Sequence, residues 1–178
     1  MKFLDRLFGG GTGMAALTAG TKAPDFSLSA VGGGKFSLSE ALQQGPVLVA
    51  FFKVSCPTCQ YTFPYLERLS KLHAQTKITV VGLSQNNERD TAAFLKEYGV
   101  TFRTLLDDPN GYAISNAYGL TNVPSLFLIG QDGQIQLSSV GWVRQEIEEI
   151  NRRLAAAQKM AEAPIFQPGE EVRDFRAG

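Results

Sequence analysis

Phe51-Phe52-Lys53-Val54-Ser55-Cys56-Pro57-Thr58-Cys59 is the stretch that decides how this chain folds. Just upstream, Val47-Leu48-Val49-Ala50-Phe51-Phe52 is continuously apolar, the pattern of a central strand buried on both faces. Downstream, Pro57 suits the first turn of a helix, and Phe63, Leu66, Leu69 and Leu72 recur along one side of it. A strand over 46–53 therefore ends just before the cysteines, and a helix begins at them. A side chain at such a junction meets unpaired N–H groups and the positive end of the helix dipole, which favour an anion. Cys56 is accordingly expected to be the attacking sulfur. Cys59, one turn further in, is expected to be the more buried sulfur.

Outward from this junction, short β-like segments alternate with helical ones in the rhythm of an α/β sandwich. Gly32-Gly33-Gly34 reads as the turn of a small hairpin between Phe26-Ser27-Leu28 and Lys35-Phe36-Ser37-Leu38, and Ser39 as the cap of a short helix reaching Leu42. Residues 78–83 read as the next buried strand, 88–98 as a helix, and 102–105 as a short strand closed by Asp107-Asp108-Pro109. A short helix follows over 112–117. Strands over 125–129 and 134–140 pair antiparallel across Gln131-Asp132-Gly133, and 145–160 form a long last helix. Residues 21–160 thus read as one domain. Residues 1–20 read as a flexible or short-helix lead in which Phe3, Leu4, Leu7 and Phe8 share a face, and 161–178, rich in proline and charge, as a C-terminal tail outside the interior.

Composition narrows the function classes. A chain of 178 residues with 44% hydrophobic and 19% charged residues can bury a core of its own. Lys plus Arg and Asp plus Glu are equal at 17 each, so no basic field exists to attract nucleic acid. No apolar run approaches the roughly 20 residues that span a bilayer, which excludes a transmembrane segment. Asp5 and Arg6 interrupt the only candidate for a secretory signal, and the cytoplasmic assignment rests on that reading. The two cysteines, Cys56 and Cys59, enclose only two residues, and a bridge that short restrains little of the unfolded chain. They are therefore read as reactive rather than structural. A zinc site wants four ligands, and His73 is the only further soft one, so no metal is expected. Such a pair supports dithiol–disulfide exchange: one sulfur attacks a partner disulfide and the second resolves the mixed disulfide.

Phe51-Phe52 followed by Cys56-Pro57-Thr58-Cys59, with Pro64 five residues beyond, resembles the active-site segment of the thioredoxin superfamily. Val123-Pro124-Ser125-Leu126-Phe127-Leu128-Ile129 is similar to that family's cis-proline loop and following strand, and Asp132-Gly133 to its hairpin. Ala23-Pro24-Asp25-Phe26-Ser27-Leu28 and the inserted stretch over 84–119 resemble the branch holding TlpA-like and ResA-like thioredoxins and AhpC/TSA peroxiredoxins, over roughly residues 21–155. The resemblance implies a thioredoxin-like α/β fold: a central mixed β-sheet flanked by helices, with an N-terminal β-hairpin and an inserted helix–strand segment. It implies a thiol–disulfide oxidoreductase with Cys56 attacking and Cys59 resolving, and with Pro57, Thr58, Val123 and Pro124 touching the partner. The implied partners are a protein carrying a disulfide or dithiol and a thiol or reductase that donates electrons; no bound cofactor is needed. TlpA-like members are often exported, which stands against the cytoplasmic assignment.

Departures from the family pattern matter as well. Peroxiredoxins carry a proline seven residues and a threonine three residues before the reactive cysteine, where this chain has Val49 and Lys53. Thioredoxins place a tryptophan directly before it and an aspartate six before; here stand Ser55 and Ala50. ResA-like members hold a glutamate three after the second cysteine, where this chain has Thr62. A thiol-dependent peroxidase and a binding module without turnover remain alternative readings. His73 is expected at the surface or in a cap, Asp107 and Asp108 in a turn, and Trp142 in packing.

Overall fold

The computed structural model describes residues 15–178. The expectation of a short helix sharing Phe3, Leu4, Leu7 and Phe8 lies outside these residues. In chain order the elements are β1 (Ser27–Ser29), β2 (Lys35–Ser37), α1 (Leu38–Gln44), β3 (Val47–Phe52), α2 (Pro57–Leu72), β4 (Thr79–Ser84), α3 (Glu88–Glu97), β5 (Thr104–Leu106), α4 (Ala113–Ala117), β6 (Ser125–Ile129), β7 (Ile135–Val140), β8 (Trp142–Val143), α5 (Arg144–Ala157) and β9 (Phe175–Arg176). Five strands form the central sheet in the order β5-β4-β3-β6-β7. β3 runs parallel to β4 and antiparallel to β6, so the sheet is mixed.

β3 is central because nothing in it is polar. Every residue from Val47 to Phe52 is fully buried, and the period of two along a strand sends alternate side chains to opposite cores. Leu48, Ala50 and Phe52 pack with Phe63, Leu66 and Leu69 of α2, Phe94 of α3, and Ile147 and Ile150 of α5. Val47, Val49 and Phe51 pack instead with Phe26, Phe36, Leu38 and Tyr118. A strand covered on both faces has its end positions fixed by two cores at once, and the cysteines follow that end.

Local chemistry accounts for most element boundaries. The hairpin of β1 and β2 turns through Gly32, Gly33 and Gly34, all with φ between 79° and 103°, a region that favours glycine. Ser37, rather than Ser39, caps α1: its hydroxyl accepts the Glu40 N–H, while the Ser39 N–H is taken by the Asp25 carboxylate. Asn87 caps α3 by accepting the Asp90 N–H at 2.8 Å. Asp107, almost fully buried, accepts from the N–H groups of Ile114 and Ser115 and from the Ser115 hydroxyl, so it starts α4 as the turn reading expects. The strand expected over 102–105 begins two residues later, at Thr104. α5 stops at Ala157 instead of 160 because Lys159 takes φ 54° and the N–H groups of Lys159 and Met160 return to Ala156 and Ala155, closing the helix. His73 caps the end of α2, and it is buried rather than at the surface, with its ring 3.1 Å from the Asn151 side chain.

The expectation that nothing after residue 160 reaches the interior needs correction. Ile165 is 4% exposed, and Phe166 packs on Tyr65 and Trp142. Arg68 of α2 holds Glu170 at 2.8 Å, the Trp142 indole N–H donates to the Arg173 carbonyl, and the Tyr61 hydroxyl accepts the Arg173 N–H. β9 then pairs antiparallel with β8. Proline and charge there mark a segment without a helix or long strand, not one without contacts. Trp142 packs as expected, wedged among Tyr61, Tyr65 and Phe166.

The Arg68 guanidinium, with help from the Gln167 N–H, holds the Glu170 carboxyl down from the ordinary 4.5 to about 2. A depressed carboxylate pKa stabilises the docked segment fully above 4.5 and loses that contribution as the pH falls toward about 2. Emission from Trp142, the single tryptophan, is expected to shift across that acid window. The Glu170→Gln variant is expected to lack that step; identical acid titrations of the two proteins contradict the anchoring.

Candidate active site

The turn between β3 and α2 is pinned before the cysteines enter it. Its Val54 N–H donates to the Asn86 side chain at 3.0 Å, and the Gln60 amide donates to the Val54 carbonyl at 2.9 Å. The Cys56 N–H closes the turn on the Lys53 carbonyl at 3.2 Å. Cys56 is therefore the N-cap of α2, with Pro57 in the first helical position, where its missing N–H costs nothing.

At the cap, the Cys59 N–H donates to Cys56 Sγ at 3.1 Å, satisfying one of the unpaired donors of the first turn. The Cys56 thiol donates in turn to the Val123 carbonyl at 3.3 Å. Both cysteines are free thiols; Cys56 is half-buried and Cys59 fully buried. Burial pushes the Cys59 thiol well above its ordinary value, and the neighbouring Cys56 sulfur adds to the effect. Thr62, which stands where an acid is found in some relatives of the pattern, turns its hydroxyl to the Thr58 carbonyl at 2.7 Å and offers no charge.

The loop facing Cys56 comes from the other side of β3. β6 pairs antiparallel with β3 and starts at Ser125, so the residues just before it lie beside the end of β3. The Val123–Pro124 peptide is cis, the Ser125 hydroxyl donates to the Asn122 carbonyl at 2.7 Å, and the Gly141 N–H donates to the Pro124 carbonyl at 2.8 Å. Pro124 is buried, whereas Val123 is half-buried with its carbonyl turned to the sulfur. The structure thus brings Cys56, Cys59, Val123 and Pro124 together and leaves Pro57 exposed beside them. Thr58 is different: it is only 5% exposed, covered by the C-terminal segment.

An open cleft of about 440 Å³ reaches Cys56 beside the cis-proline loop, with Asn122, Val123 and Gly178 among its lining residues. Lys53, Gln85, Tyr112, Asn116 and Leu120 line it, and the Gln85 amide donates to Ser115 at 2.9 Å. Tyr112 sits at its rim with φ 49°, a conformation that a side chain other than glycine rarely adopts. The sequence reading missed Gln85, Tyr112, Asn116 and Leu120 in this wall and the orienting pair Asn86 and Gln60.

A mixed sheet with a dithiol at a strand-to-helix junction, facing a cis-proline loop, defines a thioredoxin-like protein. Residues 18–154 match the Redoxin family model, and the chain belongs to that family. It is 32% identical to the Thioredoxin-like protein YneN of Bacillus subtilis over 73% of this chain and 76% of that protein. It is 26% identical to the Thiol-disulfide oxidoreductase ResA of Geobacillus thermodenitrificans over 76% of each. Among solved structures, a thiol:disulfide interchange protein of the thioredoxin family from Chlorobium tepidum superposes with a TM-score of 0.65 at 25% identity, covering 81% of this chain and 99% of that one. No helix among the described residues is long and apolar enough to cross a membrane.

The contrast between the two sulfurs is directly measurable. Iodoacetamide applied to the folded dithiol is expected to label Cys56 alone, with Cys59 labelled only after denaturation. Equal labelling of both in the native protein contradicts the buried position of Cys59.

Proposed function

We propose that this protein is a thiol–disulfide oxidoreductase that exchanges electrons with protein partners through Cys56-Pro57-Thr58-Cys59, Cys56 attacking and Cys59 resolving. The observation that carries this reading is the asymmetry of the pair. One sulfur is half-buried at a helix cap beside a cis-proline loop, and the other is fully buried behind it with its N–H aimed at the first. An N–H held on the sulfur before the reaction is what a developing negative charge there requires.

The step balances as follows. Cys56 Sγ, after releasing its proton, attacks one sulfur of the partner disulfide; that S–S bond breaks, and the partner's other sulfur leaves as a thiolate and takes up a proton. Cys59 then gives up its proton and attacks Cys56 Sγ, forming the Cys56–Cys59 bond and freeing the partner's remaining sulfur. The partner gains two electrons and the pair loses them. A thiol or dithiol donor returns the pair to its reduced form by the same exchange in reverse. Val123 and Pro124 shape the groove next to the reacting sulfur, and Pro57 forms its exposed lip.

Cys59→Ser removes the resolving sulfur, so partners are expected to accumulate as mixed disulfides on Cys56, seen as adducts that a reductant releases. Accumulation of Cys56 sulfenic acid instead favours a peroxidase, and binding that persists without either cysteine favours a module without turnover. In the unmutated protein the second step waits on a thiol whose ionisation burial opposes. Partner release is therefore expected to quicken by up to about tenfold per pH unit over roughly pH 7 to 9. A release rate flat across that range contradicts rate control by Cys59.

A further inference from the structure

β9 is not the end of the contacts made by the C-terminal segment. Its neighbouring residues continue across the first turn of α2 to the cis-proline loop. On the near side the Arg144 N–H donates to the Asp174 carbonyl at 2.9 Å. On the far side the Thr58 hydroxyl donates to the Ala177 carbonyl at 2.6 Å, and the Asn122 side-chain amide donates to the main-chain oxygen of Gly178 at 3.2 Å. The packing is close, main chain against main chain. An ideal Cβ on Gly178 would stand 2.7 Å from the Val123 oxygen, and one on Gly141 would stand 2.6 Å from the Arg176 oxygen.

We propose that residues 172–178 form a strap that decides which disulfides reach Cys56, holding the place of an extended protein chain beside the cis-proline loop while small disulfides enter through the open cleft. The inference rests on the exchange reading above and names its substrate selectivity. An extended partner gains affinity by setting its own main chain along exposed main chain and polar groups. Beside Cys56 those groups are Thr58 and the Asn122–Val123 loop, and the strap contacts both. The cleft at Cys56, walled by Lys53, Gln85, Tyr112 and Asn116, is touched by the strap only at Gly178 and has room for a small molecule.

The strap is also built to leave. Residues 173–175, 177 and 178 are exposed, and what holds 173–178 is a two-residue strand pair, hydrogen bonds at Arg173, Asp174, Ala177 and Gly178, a long Arg144–Asp174 ion pair and the Arg176 guanidinium over the Tyr61 ring. Such attachments open locally at much lower cost than a packed helix or a central strand. The chain just before it is anchored differently, by buried Ile165 and by the Arg68–Glu170 ion pair, so the strap can swing without releasing the rest of the segment.

The test uses the full-length chain. Arg176→Pro removes a backbone N–H from the strand facing Trp142 and so loosens the strap. Insulin serves as the protein disulfide and hydroxyethyl disulfide as the small one. Reduction of insulin is expected to rise about fivefold in the variant, with the small disulfide within about twofold of the parent. Both rates moving together, neither moving, or insulin reduction falling alone overturns the strap. A second measurement does not depend on that variant folding. In full-length Cys59→Ser trapped as a mixed disulfide, amide exchange over 172–178 is expected to speed up in the adduct with an insulin chain and not in the adduct with 2-mercaptoethanol. Protection retained in both adducts overturns the proposal. Failure of both chains to form any insulin adduct, while both react with hydroxyethyl disulfide, removes the protein-exchange reading and the strap with it.

Discussion

The double burial of β3 is the constraint from which the site follows. A six-residue strand without a polar side chain lies between two cores, so neither its register nor its end can slip without moving a phenylalanine or a leucine out of an apolar environment. Phe52 alone stacks on Phe63 of α2 and Phe94 of α3, and Phe51 on Tyr118 and Phe127. A shift of one residue would exchange these two faces entirely. Because the strand is fixed, the turn after it is fixed, and Cys56 meets the cis-proline loop that β6 delivers from the antiparallel side.

The chemistry depends on how differently two sulfurs three residues apart are housed. Helical spacing carries Cys59 one turn inward, into the same core as Phe52 and Phe63, while Cys56 stays at the cap where the helix has N–H groups to spare. Ala50 and Thr62, at the two positions where the family pattern can place an acid, bring no charge to Cys59. In the proposed exchange the buried thiol is the resolving group, and half-buried Cys56 is the point of entry. On the proposed reading, selectivity comes from what borders that entry, an open cleft and the chain's own C-terminal residues, of which Gly178 reaches the cleft.

Much of this was legible from residues alone. The apolar run of β3, the spacing of Phe63, Leu66 and Leu69, and the Asp132-Gly133 turn each carry a period or a turn chemistry that has few alternatives. Ser37 and Ser39 show where such reading blurs: either could cap α1, and the Asp25 carboxylate decides by claiming the Ser39 N–H from far away in the sequence. The docked C-terminal segment was not legible for a related reason. Ile165, Phe166 and Val172 have no shared period, and β8 and β9 are two residues each, too short for a strand pattern to register. Their partners, Trp142 and the outer side of α2, become visible only when the fold is assembled, and with them the covering of Thr58.

The most direct test of the account is a redox titration of the intact protein, equilibrated in graded thiol–disulfide buffers with the remaining thiols counted at each poise. The account requires one reversible transition in which Cys56 and Cys59 are lost together, following the two-electron slope of about 30 mV per decade. If no Cys56–Cys59 disulfide forms at any poise, or if the two thiols disappear in separate steps, the pair is not the exchange centre and the central claim is wrong.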